Sequence, residues 1–459
     1  MSDSTDLAPA REPTSARPPF DHPRTSGTRK IAAILILIAA LASLTSVLYF
    51  AHFHDLYTDD SPGYIRPATN LLAGNGFTDA QGHPDILRTP GYPLVILPFL
   101  WAHLDLKYLV LFQHLLRVLI IVASAAFAFQ LTRSRRQALL VGILLSIDLP
   151  FLRSANNVMT EIVFTLFLGI ALKLLFTESS KSSQRMIHLV AAGLICGATV
   201  LIRPVSIFLF VPVAIYLLAV RRSQGWLAAF AFSAAFLCLP LAWAARNEIK
   251  AGYFGVSSIS GYSILQYRAA GVLAINDPGD FYVNLEKRQS ELEGQACQEL
   301  QRLRGTDCAQ MSDPAKSAYF AQFGRRIVAR HPLAYIKLAL RGFGMMMLTG
   351  SPASLSGMTG LSFGVAAKIL LLYTVPCLGL ALFGLQQYWN MNRAFFWLAA
   401  LVIGYFVAVS CGAETFARFR IPILPLYSIL IALGIGSVWQ RISPGRRDLV
   451  ARPAGDISS

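Results

Sequence analysis

The sequence predicts an all-α polytopic membrane protein, and three observations carry that expectation. Of 459 residues, 54% are hydrophobic and only 14% charged, about half the charge with which a soluble domain hydrates its surface. Apolar stretches recur at residues 31–50, 109–130, 204–220, 226–245, 363–385 and 394–411, each close to the roughly 18–20 residues that cross hydrocarbon. Basic clusters (Arg29-Lys30, Arg133/Arg135/Arg136, Arg221-Arg222 and Arg446-Arg447) sit at the ends of such stretches, the pattern that keeps those ends cytoplasmic. An ordinary cytosolic enzyme is excluded. The net charge of +15 is divided among span ends rather than gathered into one aromatic-laced patch, which argues against nucleic-acid binding.

Residues 1–28, rich in Pro, Ser, Thr, Arg and Asp, are expected to form a disordered cytoplasmic tail. A transmembrane module over 29–245 follows, with spans near 31–52, 107–131, 137–153, 158–176, 186–202, 204–220 and 226–245. It includes a first outer loop, 54–106. With these spans Arg133/Arg135/Arg136, Lys181/Arg185 and Arg221-Arg222 fall inside, while 54–106 and the outer region 246–334 fall outside. The stretch 335–349, interrupted by Lys337, Arg341 and two glycines, reads as interfacial or re-entrant. Three further spans (363–386, 394–411, 420–439) complete a C-terminal region, 335–440, before a cytoplasmic tail at 441–459. The expected total is about ten spans, within nine to thirteen.

Within the outer loop, Ser61-Pro62 marks a helix start, and Pro67 would kink the surface helix that follows. Ser312-Asp313-Pro314 opens another, ended near His331-Pro332. Of six cysteines, Cys196, Cys238, Cys377 and Cys411 lie in or beside apolar spans. Cys297 and Cys308 lie in the long polar region and are a candidate disulfide if it faces an oxidising compartment.

No Walker loop, GxGxxG, HExxH or GxSxG occurs, and the eight histidines show no metal-ligand spacing. What remains is charge at the outer ends of spans, where it usually has a partner or a role. Asp59 and Asp60 suit a general base for an acceptor hydroxyl, or equally a helix N-terminus. Glu161, at the start of an apolar helix, allows the same two readings. Arg88, Arg203, Arg246, Arg418 and Arg420 all stand at outer ends, against the positive-inside trend. Arginine there suits a lipid-linked phosphate, although snorkelling is the bland alternative.

The motifs Asp60-Ser-Pro-Gly-Tyr64, Leu71-Leu-Ala-Gly74-Asn-Gly76-Phe77 and Arg88-Thr-Pro-Gly-Tyr92-Pro93 resemble the first outer loop of GT-C glycosyltransferases. Nearest are the aminoarabinose transferase and protein O-mannosyltransferase-like enzymes. Thr160-Glu161-Ile-Val-Phe164, Leu201-Ile-Arg203-Pro204, Trp243-Ala-Ala-Arg246-Asn247 with Gly252-Tyr-Phe254, and Arg418-Phe-Arg420-Ile-Pro422 agree in order. The resemblance covers most of 30–440; loop 270–330 departs from it. It implies a GT-C-like helix bundle with outer-face juxtamembrane helices, in a bacterial inner membrane with its active site on the periplasmic side. It implies sugar transfer from a polyprenyl-phosphate donor to an acceptor hydroxyl on a lipid, glycan or protein, with inversion. Asp60 would be the base and Asp59 its neighbour, Arg88, Arg203, Arg246 and Arg420 would hold phosphate with Arg418 the weaker candidate, and Tyr64 and Tyr92 would meet substrate. No cofactor is implied, though Asp60 and Glu161 together could hold a divalent ion. The competing function is a transporter or flippase for a lipid-linked or anionic substrate. Against it, the spans read as nearly free of ionisable residues, with Lys173 and Lys368 the exceptions.

Overall fold

The computed structural model describes residues 24–176, 182–221 and 224–442. The expected tail over 1–23, Lys181, Arg222 and residues 443–459 with Arg446-Arg447 lie outside the described residues. Helix α1 (Arg24–His52) starts before the expected tail boundary at 28. The apolar run propagates back through Arg24-Thr-Ser-Gly-Thr, which holds no proline to stop it. The first outer segment carries α2 (Pro62–Leu72) and α3 (Gly91–Trp101). Then come α4 (Leu106–Thr132), α5 (Arg135–Ile147), α6 (Leu149–Asn156), α7 (Glu161–Phe176), α8 (Ser182–Ile202), α9 (Phe210–Arg221) and α10 (Gly225–Ala251). Among the described residues, β pairing is confined to one bridge between Thr78 and Pro84.

The expected span 137–153 is a helix pair, α5 and α6, bent by 55°. Asp148 causes the break: its backbone is extended, and its carboxylate caps α6 by accepting the Phe151 N–H at 2.9 Å. Pro150 has no N–H to return to Ser146. The carbonyls thus stranded at the end of α5 need donors, and Arg117 of α4 supplies them, reaching Leu145 O at 3.1 Å and Ser146 O at 2.6 Å. Its other nitrogen takes Ala42 O and Ser46 Oγ of α1. Arg117 is fully buried. The spans are therefore not free of ionisable residues beyond Lys173 and Lys368, but Arg117 is a clamp that ties α4 to α1 and α5 through both terminal nitrogens.

Among the described residues, eight helices are long and apolar enough to cross a membrane, or nine with the bent pair. The fourth expected span, 158–176, is α7, whose described length is 16 residues. Helix α10 runs on to Ala251, past the expected boundary at 245, and ends at Gly252 in the left-handed region. Beyond it lie α11 (Ile259–Ser263), a π turn over Ile264–Ala269, α12 (Ala270–Ala274), α13 (Phe281–Arg304) and α14 (Asp313–Arg330). Helix α14 opens on Asp313-Pro314 and stops at His331, as its sequence predicts. A Cys297–Cys308 disulfide ties α13 to the turn after it. This region has a small core of its own around Leu265, Leu285, Leu292, Phe320 and Leu338. Next come α15 (Pro332–Leu348), interrupted by Lys337 and Arg341, α16 (Pro352–Thr359), α17 (Phe363–Met391), α18 (Arg393–Ser410) and α19 (Leu424–Ile442). Helix α15 is not among the helices that satisfy the crossing criteria.

Candidate functional site

At one end of the bundle the segment after α1 is laced to the start of α7. Leu56 O accepts from Val158 N, Asp55 O from Asn157 Nδ2, and Phe53 O from Asn156 Nδ2. Ser61 does not cap α2; its hydroxyl donates to Val158 O at 3.0 Å and accepts the Thr58 N–H. This lacing fixes Asp60 at the head of α2.

Arg88 reaches Asp60 from the turn before α3. That turn is set by Asp85, whose carboxylate accepts the N–H groups of Leu87 and Arg88. Arg88 donates to Asp60 Oδ1 at 2.9 Å and to Tyr64 Oη at 3.2 Å, lying over the Tyr64 ring. Gly63 permits this, because a Cβ there would stand 2.9 Å from Arg88 Nε. Gly91 likewise lets α3 abut α8, where a Cβ would meet Leu201 O at 2.6 Å. From the other side Arg418 reaches Asp60 Oδ2 at 3.4 Å. Burial pushes the Asp60 carboxyl up, yet the Arg88 hydrogen bond and the charges of Arg88, Arg418 and Arg203 outweigh it and hold Asp60 below its ordinary value.

Behind this triad, Glu161 is fully buried and pairs with Arg203 at 2.6 Å. Phe419 lies against both Arg203 and Arg418, linking the two layers. The remaining expected residues go elsewhere. Asp59 is exposed and takes no part in the ion pairs among the described residues. Tyr92 is fully buried with its hydroxyl on Gln113 Oε1 at 2.7 Å, so it backs Tyr64 edge-to-face instead of meeting substrate. Arg246 lies in α10 and donates to Asp85 O, Phe77 O and Asn247 Oδ1, fastening the 77–85 loop. Arg420 is buried against Asp148 at 2.8 Å. Arg420 is closed to a phosphate by its burial on Asp148, and the part-buried Arg246 turns both terminal nitrogens onto protein oxygens. Asp60 and Glu161 each face arginine, and among the described residues no three His, Cys, Asp or Glu side chains cluster.

Sequence reasoning missed Glu414, Arg268, Tyr267 and Asp148. Arg268, on the π turn, pairs with Glu414 at 3.0 Å and donates to Cys411 O and Val409 O. Burial and the carboxylates of Glu414 and Asp60 push the Tyr267 phenol up, while Arg418 pulls it down. Glu414 stands four residues before Arg418, just outside the motif quoted above. Asp148 had a clear signal: an acid followed by Leu-Pro inside an apolar run is a helix-start pattern.

Residues 103–248 match the family described as dolichyl-phosphate-mannose-protein mannosyltransferase. That match includes Glu161, Arg203 and Arg246 but neither the Asp60–Arg88 loop nor Arg418. No curated protein matches the chain. Among solved structures, it superposes on the archaeal oligosaccharyltransferase AglB from Archaeoglobus fulgidus, solved with an inhibitory peptide and a dolichol-phosphate, with TM-score 0.51 and 12% identity over 94% of this chain. The apo form of the Archaeoglobus fulgidus oligosaccharyltransferase gives 0.51 and 14% over 93%. The chain has the GT-C fold. It spans about half the length of those two structures, 53% of each. ArnT from Cupriavidus metallidurans, bound to undecaprenyl phosphate, is covered over 78% of its length at 13% identity, with a TM-score of 0.42 too low to add weight. Within the GT-C bundle, the Asp60 triad occupies the end where the first long loop, the starts of α3 and α7, and the approach to α19 meet.

Proposed function

We propose that this chain is a membrane glycosyltransferase that moves a sugar from a polyprenyl-phosphate donor to an acceptor hydroxyl, on the periplasmic face of a bacterial inner membrane. The observation that carries the reading is the part-exposed Asp60 carboxylate held between Arg88 and Arg418. The Cys297–Cys308 bridge at the same end supports an oxidising compartment there.

The chemistry follows from that geometry. The acceptor oxygen attacks the anomeric carbon as its proton passes to Asp60; the bond from that carbon to the phosphate oxygen breaks, and its electron pair leaves on the phosphate. A single displacement inverts the centre. The phosphate is already a good leaving group, so the protein needs only a base and cations for the departing anion. Arg88 and Arg418 serve twice. With the site empty they mask Asp60, and a donor phosphate draws them off and leaves a stronger base. Arg203, committed to Glu161, supports the cluster from behind. Exposed apolar side chains on α3, such as Leu94 and Trp101, and on α9, such as Val211 and Ile215, offer apolar faces against which a prenyl chain can lie.

The test is transfer by the purified full chain in lipid nanodiscs, with a panel of undecaprenyl-phosphate sugars and the matching nucleotide sugars offered with envelope glycolipid and glycan acceptors. Transfer is expected from a lipid-linked donor alone. Turnover of a nucleotide sugar with none from the lipid-linked panel would reject the reading.

A further inference from the structure

The buried Asp148–Arg420 pair lies in a closed mechanical circuit. Arg420 is two residues from Arg418 on the 3-10 segment Ala417–Ile423. Its Nη2 donates to Asp148 Oδ2 at 2.8 Å and its Nη1 to Met347 O at 3.3 Å. The other Asp148 oxygen caps α6. The far end of α6 presents Asn156 and Asn157, which hold the backbone at Phe53 and Asp55, while Val158 holds Leu56 and Ser61. Asp60, directly before Ser61, closes the loop on Arg418. Base and cation therefore come from chain segments far apart in sequence, and this ion pair, beside the packing of Phe419 on Arg203 and Arg418, ties the two together. Both of its members are about 95% buried, so the pair is closed to a ligand.

We propose that Asp148 and Arg420 are positioning residues that set the distance between Asp60 and Arg418. This rests on the proposed function for its meaning but not for its geometry. A phosphate ligand at position 420 and a positioning residue there make opposite predictions for a neutral pair. Arg420→Gln strands the Asp148 charge and should weaken undecaprenyl phosphate binding by about ten- to a hundredfold, the scale of a lost charged hydrogen bond. In Asp148→Asn/Arg420→Gln, Asn keeps the α6 cap and hydrogen-bonds Gln, so binding should return to near the wild-type value.

The experiment uses the full chain in nanodiscs, with undecaprenyl phosphate as the probe and hydrogen exchange read in parallel. In Arg420→Gln, protection should fall together at 53–61, 149–158 and 417–423, and in the double variant it should be restored. Loss confined to 417–423, or a double variant as defective as the single, overturns the proposal. A wild-type chain that ignores undecaprenyl phosphate while the three segments still lose protection together sinks the proposed function and leaves the coupling standing.

Discussion

Three groups of arginine–carboxylate contacts built on Asp60, Glu161 and Asp148 differ mainly in the depth of the carboxylate. Around Asp60 the side chains keep 17–37% of their surface; Glu161 keeps none, with its partner Arg203 at 16%, and the Asp148–Arg420 pair keeps 4–5%. Chemistry is held nearly constant while solvent access changes. A buried pair cannot exchange partners without stranding a charge, which is strongly unfavourable. An exposed pair contributes little to stability and can give up its arginine to an incoming anion. The deep pairs therefore build the site, and the shallow triad works it.

Asp60→Asn gives the largest expected change. It keeps shape and hydrogen-bonding oxygen but removes the base, so turnover should fall about 10²–10⁴-fold, with thermal stability of the detergent-solubilised protein unaltered. If Asp60 served only the head of α2, Asn would substitute and activity would hold. Wild-type turnover in that variant would shift attention to Asp59 or Glu161.

The deep layer should respond in the opposite sense. Glu161→Ala leaves Arg203, 16% exposed, without its counter-charge, at a cost of about 3–5 kcal/mol. A clear drop in the unfolding midpoint is expected, with activity following the folded fraction. An unchanged midpoint would mean that water reaches Arg203 and that this pair belongs with the triad.

How much of this was legible in the sequence follows the same division by depth. Helix existence and the α14 start could be read because hydropathy and caps are local properties, while cysteine position offered Cys297–Cys308 only as a candidate bridge, which the fold closes. Asp60, Arg88 and Arg203 stood out as charge where charge is expensive. Sequence position ranked Arg420 ahead of Arg418 as a phosphate ligand, whereas Arg418 is the one that reaches Asp60. In a 3-10 segment a two-residue step turns the side chain well around the axis, so one arginine meets Asp60 and the other is buried on Asp148. Arg246 was misjudged for a related reason: α10 continues past the expected span end and aims it at backbone carbonyls. The bend at Asp148 was missed because its apolar flanks read as one span.

Arg88→Ala and Arg418→Ala should sharpen the contrast at smaller scale. Each removes a charged donor from the shallow triad, so donor binding should weaken by about 1.5–3 kcal/mol, seen as a raised donor KM. Stability should change by less than about 1 kcal/mol, as expected of part-exposed pairs. Equal losses of stability in Arg418→Ala and Glu161→Ala would erase the distinction between the layers.

The smallest effect concerns pH. In the free protein Asp60 sits below its ordinary value because Arg88, Arg418 and Arg203 favour the charged form over the opposing effect of burial. A depressed carboxylate contributes stability at pH above its unfolded value and loses it as pH falls through its folded value. Here that contribution is small, because the pair is part-exposed. The catalytic consequence is more telling. The acid limb of kcat/KM reports the free enzyme, and that of kcat the donor complex. When phosphate takes the arginines, Asp60 loses the charges that depress it, so the acid limb of kcat should lie at higher pH than that of kcat/KM. Arg418→Ala removes one of those charges in advance and should shift the kcat/KM limb upward, narrowing the gap. Coincident limbs in the wild type would show that the arginines stay on Asp60 throughout turnover, and the shallow triad would then be as fixed as the pairs beneath it.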